Sequence, residues 1–127
     1  MRVLLEKRTK KIGIEIIKMV ENLPNKQSAW TIGRQLIRSA VSIGANYRAS
    51  KRAKSDADFI NKLKIVEEET DETLYWLEIL EESQIIDESL SKNIKVELNE
   101  ILSIIVATLN TMRKKMLLKE TSSRPKN

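Results

Sequence analysis

From Phe59 to Leu80 the chain places apolar or small hydroxyl side chains at alternating intervals of four and three: Phe59, Leu63, Val66, Thr70, Thr73, Leu77 and Leu80. At 3.6 residues per turn, that spacing keeps them on one side of an α-helix, whereas a half-buried strand would alternate every second residue. The rhythm returns at Ile94, Leu98, Ile101, Ile105, Thr108 and Met112. Two long helices, each with one seam to bury, need other helices to pack against. With only three glycines and two prolines in 127 residues, little in the chain interrupts a helix. Composition agrees, since 41% hydrophobic and 32% charged residues suit an all-α domain and neither a β-sandwich nor a disordered chain.

The remaining boundaries follow from local chemistry. Helix 1 is expected over about residues 3–22. Leu5, Ile12, Ile16 and Met19 form its stripe, and Ile14, Ile17 and Val20 widen it. Pro24 lacks an amide hydrogen and disfavours helical geometry at Leu23, so the chain breaks there. Helix 2 is expected over about 27–50, with a cap between Asn25 and Ser28. Ser55 and Asp58 form a capping pair for helix 3, over about 56–83, and Asp87 or Ser89 caps helix 4, over about 88–116. Residues 1–116 then make an up-and-down antiparallel four-helix bundle, and 117–127 a flexible basic tail.

Helix 2 carries two stripes. Leu36, Ala40, Ile43 and Tyr47 form a core stripe, and beside them run Gln35, Ser39, Ser42 and Asn46. A solvent face favours Lys and Glu over such small hydrogen-bonding groups, so the second stripe is expected to face protein. Gly44 lies within the pattern although glycine costs a helix interior about 1 kcal/mol relative to alanine. A close approach by another helix would account for it, as would a tolerated surface glycine.

The absence of cysteine removes disulfides, thiolate metal sites and a Cys nucleophile, and the absence of histidine removes the commonest neutral-pH base and transition-metal ligand. A non-enzymatic protein without cofactor or metal is expected. Glu68, Glu69 and Glu72 share a helix face, but di-iron bundles add Glu-x-x-His pairs and no histidine is available. Residues 1–20 are charged throughout and no segment approaches a membrane span, so a cytoplasmic protein off the membrane is expected.

Charge changes sign by segment. Residues 1–54 hold 13 Lys/Arg and 3 Asp/Glu, residues 55–100 hold 4 and 14, and residues 101–127 hold 6 and 1. Opposite segments attract within a bundle or between subunits, and unpaired cations attract phosphate. Ile65, Trp76 and Ile79 on helix 3, with Ile104, Val106 and Leu109 on helix 4, exceed what one seam requires. A second contact surface follows, most simply with further copies of the chain.

Leu23-Pro24 ahead of a helix, then RQLIRSAVSIGANY, then a basic link to Ser55, Asp58 and Phe59 resemble the four-helix-bundle proteins encoded in intervening sequences of 23S ribosomal RNA genes. The similarity spans roughly Ile12 to Met112. It implies an up-and-down bundle commonly assembled as a homopentamer. It also implies kinship with the accessory variability protein of diversity-generating retroelements, a basic barrel-shaped pentamer associated with nucleic acid and a reverse transcriptase. Two segments depart from the family pattern: Asn46-Tyr47-Arg48-Ala49-Ser50 replaces a usual N-I-A-E-G, and Glu67-Glu68-Glu69 replaces a usual glycine-serine pair.

Arg48, Lys51, Arg52 and Lys54 form the candidate nucleic-acid surface, since clustered cations bind phosphates by charge and counterion release. Only five aromatic residues occur, without an interleaved stacking platform, so non-specific contact to RNA or DNA is expected over base reading. An oligomeric scaffold for a protein partner is the alternative. Arg34 and Arg38 are assigned to structural salt bridges with Glu68, Glu69 and Glu72, because antiparallel helices 2 and 3 set them side by side. Arg48 to Lys54 lie too near the turn for that pairing and stay available.

Overall fold

The structure is a computed structural model that describes residues 2–122. Four helices follow in order: α1 (Arg2–Glu21), α2 (Gln27–Ser50), α3 (Asp56–Glu82) and α4 (Glu88–Ser122). Short connections make successive helices antiparallel, and α2 packs on both α1 and α3, while α3 also packs on α4. The predicted all-α four-helix bundle is thus observed. Helix α4 runs past its expected end at 116 to Ser122, and Lys119 Nζ holds Asp56 Oδ2 at 2.9 Å near the start of α3. The rest of the expected tail lies outside the described residues.

Both helical seams close through their middles, but on α4 the buried line passes from Ile105 to Leu109 instead of Thr108, and Phe59 and Met112 are only partly covered. Leu63, Val66, Thr70, Thr73, Leu77 and Leu80 are buried, facing Leu36, Ala40 and Ile43 from α2 and Leu98, Ile101, Ile105 and Leu109 from α4. The threonines fit because each hydroxyl donates to the carbonyl one turn back, Thr70 to Val66 at 2.7 Å and Thr73 to Glu69 at 2.8 Å. Between α2 and α3 the hydroxyls of Thr73 and Ser39, both fully buried, meet at 2.9 Å, a bond that sets register.

The helix ends match their chemistry. Asp58 N donates to Ser55 Oγ at 3.0 Å and Lys54 N donates to Asp58 Oδ2 at 3.1 Å, a reciprocal cap for α3. Asp87 caps α4 by accepting from Ser89 N at 3.1 Å. Helix α2 starts after Lys26, whose side chain makes no capping bond. At the end of α3, Gln84 adopts φ 62°, and the amides of Ile85 and Ile86 turn back to Leu80 O at 3.0 and 3.2 Å.

Helix α1 is held differently from the rest. It meets α4 along little of its length, and the gap is spanned by Arg8. Arg8 Nε donates to Glu97 Oε2 at 2.8 Å, Nη2 to Glu97 Oε1 at 2.6 Å, and Nη2 lies 3.0 Å from Glu100 Oε1. Against α2 the approach is close, with all three glycines at this contact. A Cβ on Gly44 would sit 3.4 Å from the α1 backbone at Thr9 and Lys10, one on Gly13 would sit 3.4 Å from Val41 Cγ1, and one on Gly33 would meet Val20 Cγ1 at 2.8 Å. The close-approach reading of Gly44 is the one the packing supports.

The polar stripe of α2 departs from expectation. Ser39 alone is buried; Gln35 is exposed, and Ser42 and Asn46 are only partly covered. Ser42 Oγ donates to Arg38 O at 2.8 Å and Asn46 Nδ2 to Ser42 O at 2.9 Å, so these side chains satisfy themselves on their own helix without a neighbour.

Candidate functional site

Antiparallel topology brings the start of α1, the α2–α3 turn and the end of α4 to one end of the bundle. At that end, residues 4–8, 48–58 and 112–122 hold 10 Lys/Arg and 4 Asp/Glu, whereas residues 18–30 and 78–92 at the other end hold 3 and 6. Segmental alternation along the sequence therefore becomes polarity along the bundle. Arg48, Lys51, Arg52 and Lys54 stand exposed at the basic end, and α4 adds Arg113, Lys114, Lys115 and Lys119, also exposed. Reading the turn alone missed these four. Counting helix lengths back from it would have found them, because α4 descends to the level at which α3 begins.

Not every cation there is equally available. Lys51 Nζ donates to Glu6 Oε2 at 2.5 Å, a pairing with α1 that the sequence reading, attentive only to the acidic run on α3, did not foresee. That hydrogen bond, opposed in part by burial, holds the Glu6 carboxyl below its ordinary value. Lys119 likewise lowers Asp56. Among the described residues Arg48, Arg52, Lys54, Arg113, Lys114 and Lys115 make no salt bridge.

Near the middle of the bundle, Arg38 Nη1 lies 3.2 Å from Glu69 Oε2, and its Nη2 bonds Glu72 Oε2, which also accepts from Trp76 Nε1 at 3.1 Å. Arg34 and Glu68 differ from their assignment: both are exposed and neither forms a salt bridge among the described residues. The reason is register. With Ser39 opposite Thr73, Arg38 aligns with Glu69 and Glu72, about one turn further along α3 than expected, which carries Arg34 beyond the acidic run.

Exposed apolar surface also lies elsewhere than expected. Leu109 is buried, and Trp76 and Ile104 pack against the core, so much of the excess on α3 and α4 is absorbed within one chain. Ile14, Ile17 and Val41 are instead 46%, 37% and 40% exposed along a groove of about 450 Å³ between α1 and α2, floored by Gly13, Gly44 and Ala45.

Among the described residues no group of three or more His, Cys, Asp or Glu is arranged to hold a metal ion, and no helix is long and apolar enough to cross a membrane. The family model for 23S rRNA-intervening sequence protein matches residues 3–107. A crystal structure of a protein of unknown function from the S23 ribosomal protein family of Bacteroides thetaiotaomicron is similar, with TM-score 0.80 and 32% identity over 86% of this chain and 97% of that one. No curated protein matches.

Proposed function

The chain belongs to the 23S rRNA-intervening sequence protein family, and from that premise we propose that it is a non-enzymatic, self-assembling bundle that contacts RNA or DNA non-specifically with its basic end. The observation that carries this reading is the convergence of cations from the α2–α3 turn and the end of α4, where they outnumber the carboxylates Asp56 and Asp58 and stand several turns from the acidic run 67–72 of α3. Arg48, Arg52 and Lys54, free of salt bridges among the described residues, are the principal phosphate contacts; Lys51 contributes less because it holds Glu6. Each phosphate neutralised releases counterions, so affinity falls with salt at a slope of about 0.7 per contact on single strands and about 0.9 on duplex DNA.

The test compares wild type with the triple variant Arg48→Gln, Arg52→Gln, Lys54→Gln, which leaves the Lys51–Glu6 pair intact. Fluorescence anisotropy on a mixed-sequence RNA across a salt series should give a slope shallower by about two units for the variant. Failure of wild type to bind at low salt, or identical slopes, would sink the reading.

A scaffold role without nucleic acid is the second reading, favoured by the groove at Ile14, Ile17 and Val41. Self-association through this face serves either role, and a pentamer is the assembly that the family resemblance implies. Light scattering at micromolar concentration tests it, with a monomer as the contrary result.

A further inference from the structure

Beneath the α2–α3 turn lies a cavity of about 550 Å³, bounded by the start of α1, the end of α2, the start of α3 and the lower part of α4. It exists because α1 and α4 do not close on each other, and its size falls among small-molecule sites. Hydrocarbon from Leu5, Phe59, Leu63, Ile104, Ile105 and Met112 makes up little more than half of its wall, and the rest is polar. Of the hydroxyls in that wall, Ser50 Oγ donates to Tyr47 O at 2.6 Å, Thr108 Oγ1 donates to Ile104 O at 2.9 Å, and Ser55 Oγ accepts from Asp58 N at 3.0 Å. Three lysines line the same cavity: Lys51, held by Glu6, and Lys54 and Lys115, which form no salt bridge among the described residues. The one carboxylate there, Asp56, is engaged by Lys119 at 2.9 Å.

A partly apolar cavity beside ammonium groups that form no salt bridge among the described residues suits an anionic amphiphile. We infer that the cavity binds a single-chain amphiphile with an anionic head, an aliphatic carboxylate, its chain against Leu5, Phe59, Leu63, Ile105 and Met112 and its carboxylate at Lys54 and Lys115. A nucleobase fits less well, because Ser50 and Thr108 have committed their hydroxyl protons to backbone carbonyls and offer its edge acceptors only. A neutral chain would fill the interior and leave the two cations unanswered. The inference does not rest on nucleic-acid binding, and its test contains no nucleic acid polymer.

Isothermal titration of the full chain with dodecanoate, below its micellar concentration, should show saturable one-to-one binding. Dodecanol should bind at least about tenfold more weakly, the difference expected for losing a charge-assisted contact. The variant Lys54→Ala, Lys115→Ala, altered only at exposed positions, should weaken dodecanoate by about tenfold and leave dodecanol unchanged. Met112→Trp, at a partly exposed position on the wall, should fill the cavity and abolish binding of both. The inference is overturned if wild type shows no saturable dodecanoate binding, if neither variant alters it, or if adenosine monophosphate binds while dodecanoate does not.

Discussion

Replacing Arg8 with methionine keeps a straight stem over the α1–α4 gap and removes the guanidinium fork. Arg8 is 17% exposed and Glu97 32%, so the pair lies between a surface bridge and a buried one. Exposed pairs contribute about 0.2–1 kcal/mol, whereas breaking a buried one costs about 3–5 kcal/mol. Geometry favours the upper part of that interval, since two bonds run to one carboxylate and Glu100 takes a third contact. A loss of about 2 kcal/mol is expected; at about 2.1 cal/mol/K of unfolding entropy per residue it lowers Tm by roughly 7 °C for 127 residues.

Acid should erase part of the difference. The hydrogen bond from Arg8, partly offset by burial, holds the Glu97 carboxyl below its ordinary value. A group whose pKa is lowered on folding stabilises above its unfolded pKa and loses that contribution as pH falls through the folded one. Wild type therefore gives up the Glu97 increment below about pH 4, while Arg8→Met has little of it to lose. Thermal melts by circular dichroism at pH 7 and pH 3 measure both effects. A Tm difference under about 2 °C at pH 7, or one that stays constant on acidification, would refute the assignment of Arg8 as the α1–α4 tie.

The Ser39–Thr73 bond should show coupling: Thr73→Val and Ser39→Ala each cost about 1 kcal/mol, and the double variant costs less than their sum by about 0.5 kcal/mol or more in urea melts. Gly44→Ala should raise stability by about 0.5 kcal/mol, because a Cβ just fits and the glycine penalty disappears. Gly44→Val should instead cost about 1–3 kcal/mol, its γ-carbons pressing on the α1 backbone; equal melts for the two would contradict the close approach. Gln84→Gly should stabilise by up to about 1 kcal/mol, since Gln84 holds a left-handed conformation that glycine adopts without Cβ strain, and an unchanged urea midpoint would count against it.

What the sequence made legible is what depends on one helix at a time. The seams of α3 and α4, the stop at Leu23-Pro24 and the Ser55–Asp58 cap are local consequences of spacing, proline chemistry and hydrogen bonding, and each is in place. Register between helices is not contained in a repeat of three and four, so Arg38 meets Glu69 and Glu72 while Arg34 is carried beyond the acidic run and forms no salt bridge among the described residues. The polar stripe misled for a related reason: Ser42 and Asn46 have a partner in their own backbone, which composition cannot distinguish from a partner across an interface. At the candidate site, the turn cations stood out as a run, whereas Arg113 to Lys119 join them only through topology.

Polarity along the bundle has a kinetic consequence. Helix α3, with 27 residues, is about 40 Å long, and the two ends of the bundle it joins carry opposite excess charge. Such a rod behaves as an electrical vane: in the field of a polyanion it experiences torque before contact and arrives basic end first, its acidic end pointing away. Orientation of this kind fades once the Debye length, about 30 Å at 0.01 M salt, contracts to about 8 Å at 0.15 M. Association rate, more than dwell time, then becomes the quantity through which ionic strength governs the encounter.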